Sequence, residues 1–162
     1  MYIPFEEMPN HARVWVYQID RQLTDDEAKN ISITLEQFIN NWQAHGTDLK
    51  ASFQLPYNRF IIIAADQEHY TPTGCSIDAS VAVIRQIEQQ YGLNLFDRMA
   101  VAFKRKDEIE TFRMNQLKEL AHAGDLEAEH ITFNNLVENV GQLHSAWEVP
   151  AKETWLSRYF AN

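Results

Sequence analysis

The sequence predicts an α+β fold: a ferredoxin-like β-α-β-β-α-β antiparallel sheet, followed by a C-terminal extension of helix and strand packed on the sheet's second face. Three observations carry this. Two segments with the apolar spacing of a helix face, one opening at Thr24 and one near Ser76, are separated by short runs rich in β-branched and aromatic residues. Those runs fall in the order strand, helix, strand, strand, helix, strand, the split arrangement of ferredoxin-like folds. Two of the strands are apolar on both faces, whereas a bare ferredoxin-like sheet leaves one face in water, so the chain after Lys104 is expected to cover it.

Taken in order, residues 1–12 hold Pro4, Pro9 and Asn10 and read as an irregular arm pinned by Tyr2, Ile3, Phe5 and Met8. Residues 13–19 form a covered strand. Thr24-Asp25-Asp26-Glu27 is a capping box, in which the threonine oxygen accepts from the Glu27 backbone and the glutamate reaches back. Ala28, Ile31, Leu35, Phe38, Ile39 and Trp42 then share one helix face, and Gly46 supplies a left-handed stop. Residues 49–55 alternate Ala51, Phe53 and Leu55 against Ser52 and Gln54, a strand with one buried face. Pro56-Tyr57-Asn58 turns the chain into a second apolar strand at 59–65. Ser76 can cap the next helix, with Asp78 in its first turn, a buried stripe of Ile77, Val81, Ile84, Ile87 and Tyr91, and Gly92 at its end. A fourth strand is expected at 99–103, a third helix at 108–123, a short strand at 131–137 and a last short helix at 150–160.

The chain of 162 residues suits one domain, 1–162, with 1–106 as the ferredoxin-like core and 107–162 as the extension. A net charge of −9 disfavours nucleic acid as a partner, because sequence-independent phosphate binding needs an excess of cations. The basic run Lys104-Arg105-Lys106 is bounded at once by Asp107, Glu108 and Glu110 and reads as a solvated strand end. No apolar run is long enough to span a membrane, the N-terminus lacks a signal-peptide pattern, and one cysteine permits no internal disulfide. A cytoplasmic protein is expected, monomer or homodimer. No cofactor is expected.

The predicted topology gathers residues 10–13, 44–48, 66–78 and 104–107 at one sheet edge. There it would bring together His11, Arg13, His45, Asp66, Glu68, His69, Cys75, Ser76 and Asp78. Cys75 sits just before a helix N-terminus, where free N–H groups and the helix dipole favour a thiolate, and His45 or His11 could take its proton. The bland alternative is a small apolar plug, and Asp78 opposes ionisation. An anion or carboxylate could instead rest on the backbone of Gly74, Cys75 and Ser76 with Arg13 beside it. His11, His45, His69 and Cys75 are acceptable zinc ligands, but their separations match no ligand motif, so no metal is expected. The aromatic residues Trp147, Trp155, Tyr159 and Phe160 are either core on the second sheet face or a partner surface.

Three segments carry a resemblance: Met8-Pro9-Asn10-His11-Ala12-Arg13-Val14-Trp15, Trp42-Gln43-Ala44-His45-Gly46 and Gly74-Cys75-Ser76-Ile77-Asp78-Ala79-Ser80. Together with the ending around Trp147-Glu148-Val149-Pro150, they make the chain similar to a family of uncharacterised proteins of about this length from Bacteroidetes-type bacteria, often labelled "ABC transporter ATPase". That label implies a phosphate-cradling loop ending in Gly-Lys-Ser/Thr. The five glycines, Gly46, Gly74, Gly92, Gly124 and Gly141, open no such loop, so the resemblance implies a family and not an ATPase. The expectation is therefore a small ligand-binding or protein-interaction module with its site between the His45 and Cys75 loops. The alternative is a small hydrolase or transferase with Cys75 as nucleophile and His45 as base.

Overall fold

The structure is a computed structural model, and it describes residues 1–68 and 72–161. Strand β1 (Arg13–Gln18) leads to helix α1 (Asp25–Asn40), which starts on the expected box: Thr24 Oγ1 accepts from Glu27 N at 3.1 Å, and Thr24 N donates to Glu27 Oε1 at 2.9 Å. The helix stops at Asn40, earlier than the Gly46 stop expected. Residues 43–48 instead form a small hairpin of β2 (Gln43–Ala44) and β3 (Thr47–Asp48). His45 and Gly46 make its two-residue turn with φ of 54° and 75°. Two successive left-handed residues match the twist of an antiparallel pair, which is why His-Gly serves here as a hairpin turn and not as a helix cap.

Strands β4 (Ala51–Gln54) and β5 (Phe60–Ala65) follow. The sheet order is β1-β5-β4, with both neighbours of β5 antiparallel to it. Helix α2 (Gly74–Tyr91) comes next and ends on Gly92 at φ 63°. Its buried residues are Ser76, Ser80, Val83, Ile84 and Ile87, a stripe rotated from the one expected through Ile77, Val81 and Tyr91.

The fourth strand, β6 (Ala100–Arg105), does not complete the first sheet. It pairs with β7 (Glu108–Arg113) and with β8 (Ile131–Phe133), and β8 pairs with β9 (Glu148–Pro150), giving a second antiparallel sheet of order β7-β6-β8-β9. Among the described strands, the expected closure of β6 onto β1 is therefore absent. The helix expected at 108–123 fails in its first half for a local reason. Lys106 and Asp107 adopt φ of 50° and 66°, a second left-handed two-residue turn, so residues 108–113 return as a strand where a helix was expected. Only α3 (Leu117–His122) of that helix forms. Helix α4 (Val140–Ala146) and β9 went unread, and the expected final helix is two 3-10 segments, Ala151–Glu153 and Trp155–Tyr159.

β5 is buried along its whole length and shows how the two halves join. Ile61, Ile63 and Ala65 face α1 and α2, with Ile31, Leu35, Ile39, Ile84 and Ile87 against them. Phe60, Ile62 and Ala64 face Val14, Ala102, Phe133, Val137, Val140, Leu143 and Trp147. The expected cover of the second face is thus supplied by β8, α4 and the residues around them. Phe60, Phe133 and Trp147 form a triangle of rings with centroids 4.7, 4.9 and 5.0 Å apart. Buried Arg59 clamps the same junction by donating to Ile109 O, Ile19 O and Thr111 Oγ1, and burial lowers its pKa from the ordinary arginine value. No described helix is long and apolar enough to cross a membrane.

Candidate functional site

The expected edge is assembled in part. Arg13 pairs with Ala65, which brings the segment before β1 beside the segment after β5. His11 Nε2 lies 3.0 Å from Asp66 Oδ1, and His11, Asp66 and Glu68 keep their ligand atoms within 4.8 Å of one another on a largely exposed surface. Trp42 Nε1 donates to Ser76 O at 2.8 Å, so the β2–β3 hairpin and the start of α2 sit together. Residues 104–107 are elsewhere: Lys104 Nζ reaches Tyr57 OH at 3.4 Å and Glu148 Oε1 at 3.7 Å, at the opposite end of the first sheet. That misplacement follows directly from β6 leaving the first sheet. His69 lies outside the described residues.

At the start of α2 the cap is Thr73 and not Ser76. Thr73 Oγ1 accepts from Ser76 N at 3.1 Å, and Ser76 Oγ donates to Thr73 O at 2.9 Å. Ser76 is buried, its N–H and hydroxyl donate to Thr73 at the helix start, and its C=O accepts from Trp42. The backbone of Gly74 and Cys75 is left as the free part of the first turn. The Cys75 thiol is exposed and so is no apolar plug. Among the described residues, neither Cys75 nor His45 makes a side-chain hydrogen bond, so no nucleophile–base pair is formed between them. Arg13 stacks its guanidinium over the Trp15 ring at 4.8 Å and does not reach the helix end through a hydrogen bond. Asp78 is exposed.

The better-formed cavity lies between the two sheets, on the far edge of β1. Its volume is about 380 Å³, within the range of small-ligand sites. Five stretches of consecutive residues line it: 16–18 of β1, 95–98, 100–102 of β6, 132–136 from β8 into the turn after it, and 154–156. Side chains of a strand alternate between faces, so three successive residues can border one cavity only along the backbone edge. The register agrees. Ile19 N donates to Arg59 O, within the β1–β5 ladder, whereas Val14 N donates to Glu138 O, away from it. The odd-numbered residues of β1 therefore bond β5, and Val14, Val16 and Gln18 turn their peptide groups outward. Among the described residues, the Val16 N–H, the Val16 C=O and the Gln18 N–H have no partner.

A relay of amides crosses the floor. Trp147 Nε1 donates to Asn135 Oδ1 at 2.9 Å, Asn135 Nδ2 to Gln18 Oε1 at 3.1 Å, and Gln18 Nε2 to Ala100 O at 3.1 Å. This is the side-chain stand-in for the missing β1–β6 ladder. At the margin, Asp97 accepts from Met99 N at 2.9 Å and pairs with Arg113; the backbone bond first and the guanidinium second hold its carboxyl below the ordinary aspartate range. Its neighbour Arg98 has no ion pair or hydrogen bond among the described residues. Leu136 is 74% exposed and Trp155 42%, so large apolar side chains stand at the opening. Burial raises the pKa of the Tyr17 hydroxyl above that of an ordinary tyrosine. These groups are backbone amides, carboxamides, a guanidinium and apolar surface, a set suited to holding a molecule.

The sequence reading missed this cleft. The available signals were Gln18, the lone carboxamide in the otherwise apolar and aromatic run 14–19, and the Asn134-Asn135 pair. No family model, no curated protein and no solved structure matches the chain.

Proposed function

We propose that the protein is a ligand-binding module, for a small molecule or a protein partner, whose site is the cleft between the two sheets. The observation that carries this reading is the open edge of β1 bordering a cavity of about 380 Å³. An unpaired strand edge inside a folded domain leaves polar backbone groups unsatisfied, and a ligand can satisfy them. The unpartnered Arg98 and the apolar rim favour ligands that join a carboxylate to an apolar body. The net charge of −9 keeps nucleic acid out of the reading, and the cytoplasm is its proposed location. The first half of the chain is read as a ferredoxin-like unit whose fourth strand has gone to a second sheet, which is how the cleft arises.

Amide-resolved NMR with a panel of small aryl and alkyl carboxylic acids tests the proposal. Shifts are expected to cluster at Val16, Gln18, residues 134–136 and the Trp155 indole, and Arg98→Ala is expected to weaken them. Shifts confined to residues 44–48 and 73–78 would move the site to the His45–Cys75 edge, and no shifts at all would remove the ligand-binding reading. A hydrolase or transferase with Cys75 as nucleophile and His45 as base is the second reading; the exposed thiol in the first turn of α2 favours it.

A further inference from the structure

Resting on the reading of the cleft as a binding site, we infer that its occupant is an extended peptide segment that adds a strand to the open edge of β1. Three features select a peptide over a compact molecule. The first is shape: two extended strands that do not pair with each other, β1 at 16–18 and β6 at 100–102, both border the cavity, with the 134–136 turn beside them, so it forms a slot between strands. Val14, whose N–H is already taken by Glu138 O, closes one end. Gln18, bridged to Ala100 O, closes the other. Four residue steps separate them, a length of about 13 Å at strand rise. The second is hydrogen bonding: Val16 offers one outward N–H and one outward C=O to the slot, the complement of one residue of an incoming strand. The third is the rim. Leu136 and Trp155 stand exposed beside the slot, where alternate side chains of a bound strand would meet them, and Arg98 stands free to take a carboxylate from an acidic residue or a chain terminus. A strand bound here would take the place β6 vacates and extend the first sheet across the cleft.

Selection from a displayed library of random nonapeptides against the intact protein supplies the probe. Peptides carrying apolar residues at alternate positions and a carboxylate are expected to emerge. A selected peptide is then remade with single N-methyl groups along its backbone. Methylation of the amide facing Val16 is expected to weaken binding about tenfold or more, because it removes a donor and leaves the Val16 carbonyl unpaired, while methylation of the adjacent, outward amides changes it less than about threefold. Leu136→Asp and Arg98→Ala alter exposed side chains and are each expected to weaken the peptide about fivefold or more, with thermal midpoints unchanged. Equal loss at every methylated position, or amide shifts away from β1, overturns the inference. So does an empty selection; in that case small carboxylic acids that still shift Val16 and Gln18 leave the cleft as a small-molecule site, and silence from both removes the cleft reading as well. Concentration-dependent dimers in sedimentation, broken by Leu136→Asp, would make a second copy of this chain the occupant and also overturn it.

Discussion

Cys75 and Gln18 show opposite fates for residues that stand out in a sequence. Cys75 is conspicuous as the one cysteine, yet its thiol is exposed and makes no hydrogen bond to His45, which the β2–β3 turn holds at φ 54°. Alkylation by iodoacetamide in the folded protein is therefore expected to run within about tenfold of the rate in urea, since thiolate access and not base assistance governs it. His45→Ala is expected to leave that rate unchanged. A marked fall in the His45→Ala protein would restore the nucleophile–base pairing. Gln18, inconspicuous in the sequence, joins two sheets through both of its amide atoms. Gln18→Leu keeps the side-chain size but leaves Ala100 O and the Asn135 amide unpaired in a partly buried place. The expected cost is about 1–3 kcal/mol, read from the urea midpoint at constant slope. The sequence showed the residue types of the His45–Cys75 edge but could not show the cleft, because an open strand edge is a property of backbone pairing and has no side-chain signature.

At the scale of elements, what the sequence disclosed was whatever local chemistry determines. The box at Thr24 and Glu27, the left-handed Gly92 and the fully apolar β5 were legible because each is set within a few residues. What failed was the discrimination between a helix stop and a hairpin turn. His45-Gly46 and Lys106-Asp107 both turn with two positive φ angles, and only the first contains the glycine that usually announces such a turn. Lys106-Asp107 gave no such notice, so 108–113 was read with the helix beyond it. The start of α1 also supports a pH prediction. Arg21 donates to both Glu27 oxygens at 2.8 Å, and the Thr24 N–H adds a third bond, so the Glu27 carboxyl falls from an ordinary 4.5 to about 2. A depressed carboxylate stabilises the folded state fully above its unfolded pKa and loses that contribution as pH falls through its folded one. The window is therefore pH 4.5 down to about 2. Glu27→Gln is expected to flatten the thermal-midpoint profile across that window and to leave its shape above pH 5 unchanged. An identical acid limb in the variant would show that this pair contributes nothing to it.

For the whole molecule the decisive fact is that β5 belongs to two cores at once. The sequence indicated cover for both faces of the first sheet but not that the fourth strand would leave it, because a strand's partners are fixed by distant segments that compete for its edge. Here β7 is tied to β6 by a two-residue turn, and so near a partner costs little loop entropy. Once β6 pairs there and with β8, the second sheet is anchored to the first by side chains: Phe60, Ile62, Ala64 and Val14 against Phe133, Val140, Leu143 and Trp147. The boundary at residue 106, natural in a ferredoxin-like reading, therefore cuts through a core. A chain ending at Lys106 would expose Phe60, Ile62 and Val14, which lose roughly 1.5–3 kcal/mol each, or about 5–9 kcal/mol together. It would also free both edges of β6. That loss matches the whole stability of an ordinary domain, about 5–15 kcal/mol. The 1–106 fragment is expected to lack a cooperative thermal transition and dispersed amide resonances. The full chain is expected to unfold in one transition that Trp147→Ala lowers by about 3–5 kcal/mol without splitting it. A cooperative, well-dispersed 1–106 fragment would mean that the first sheet tolerates a wet second face, and that the C-terminal third is an attached layer and not half of the core.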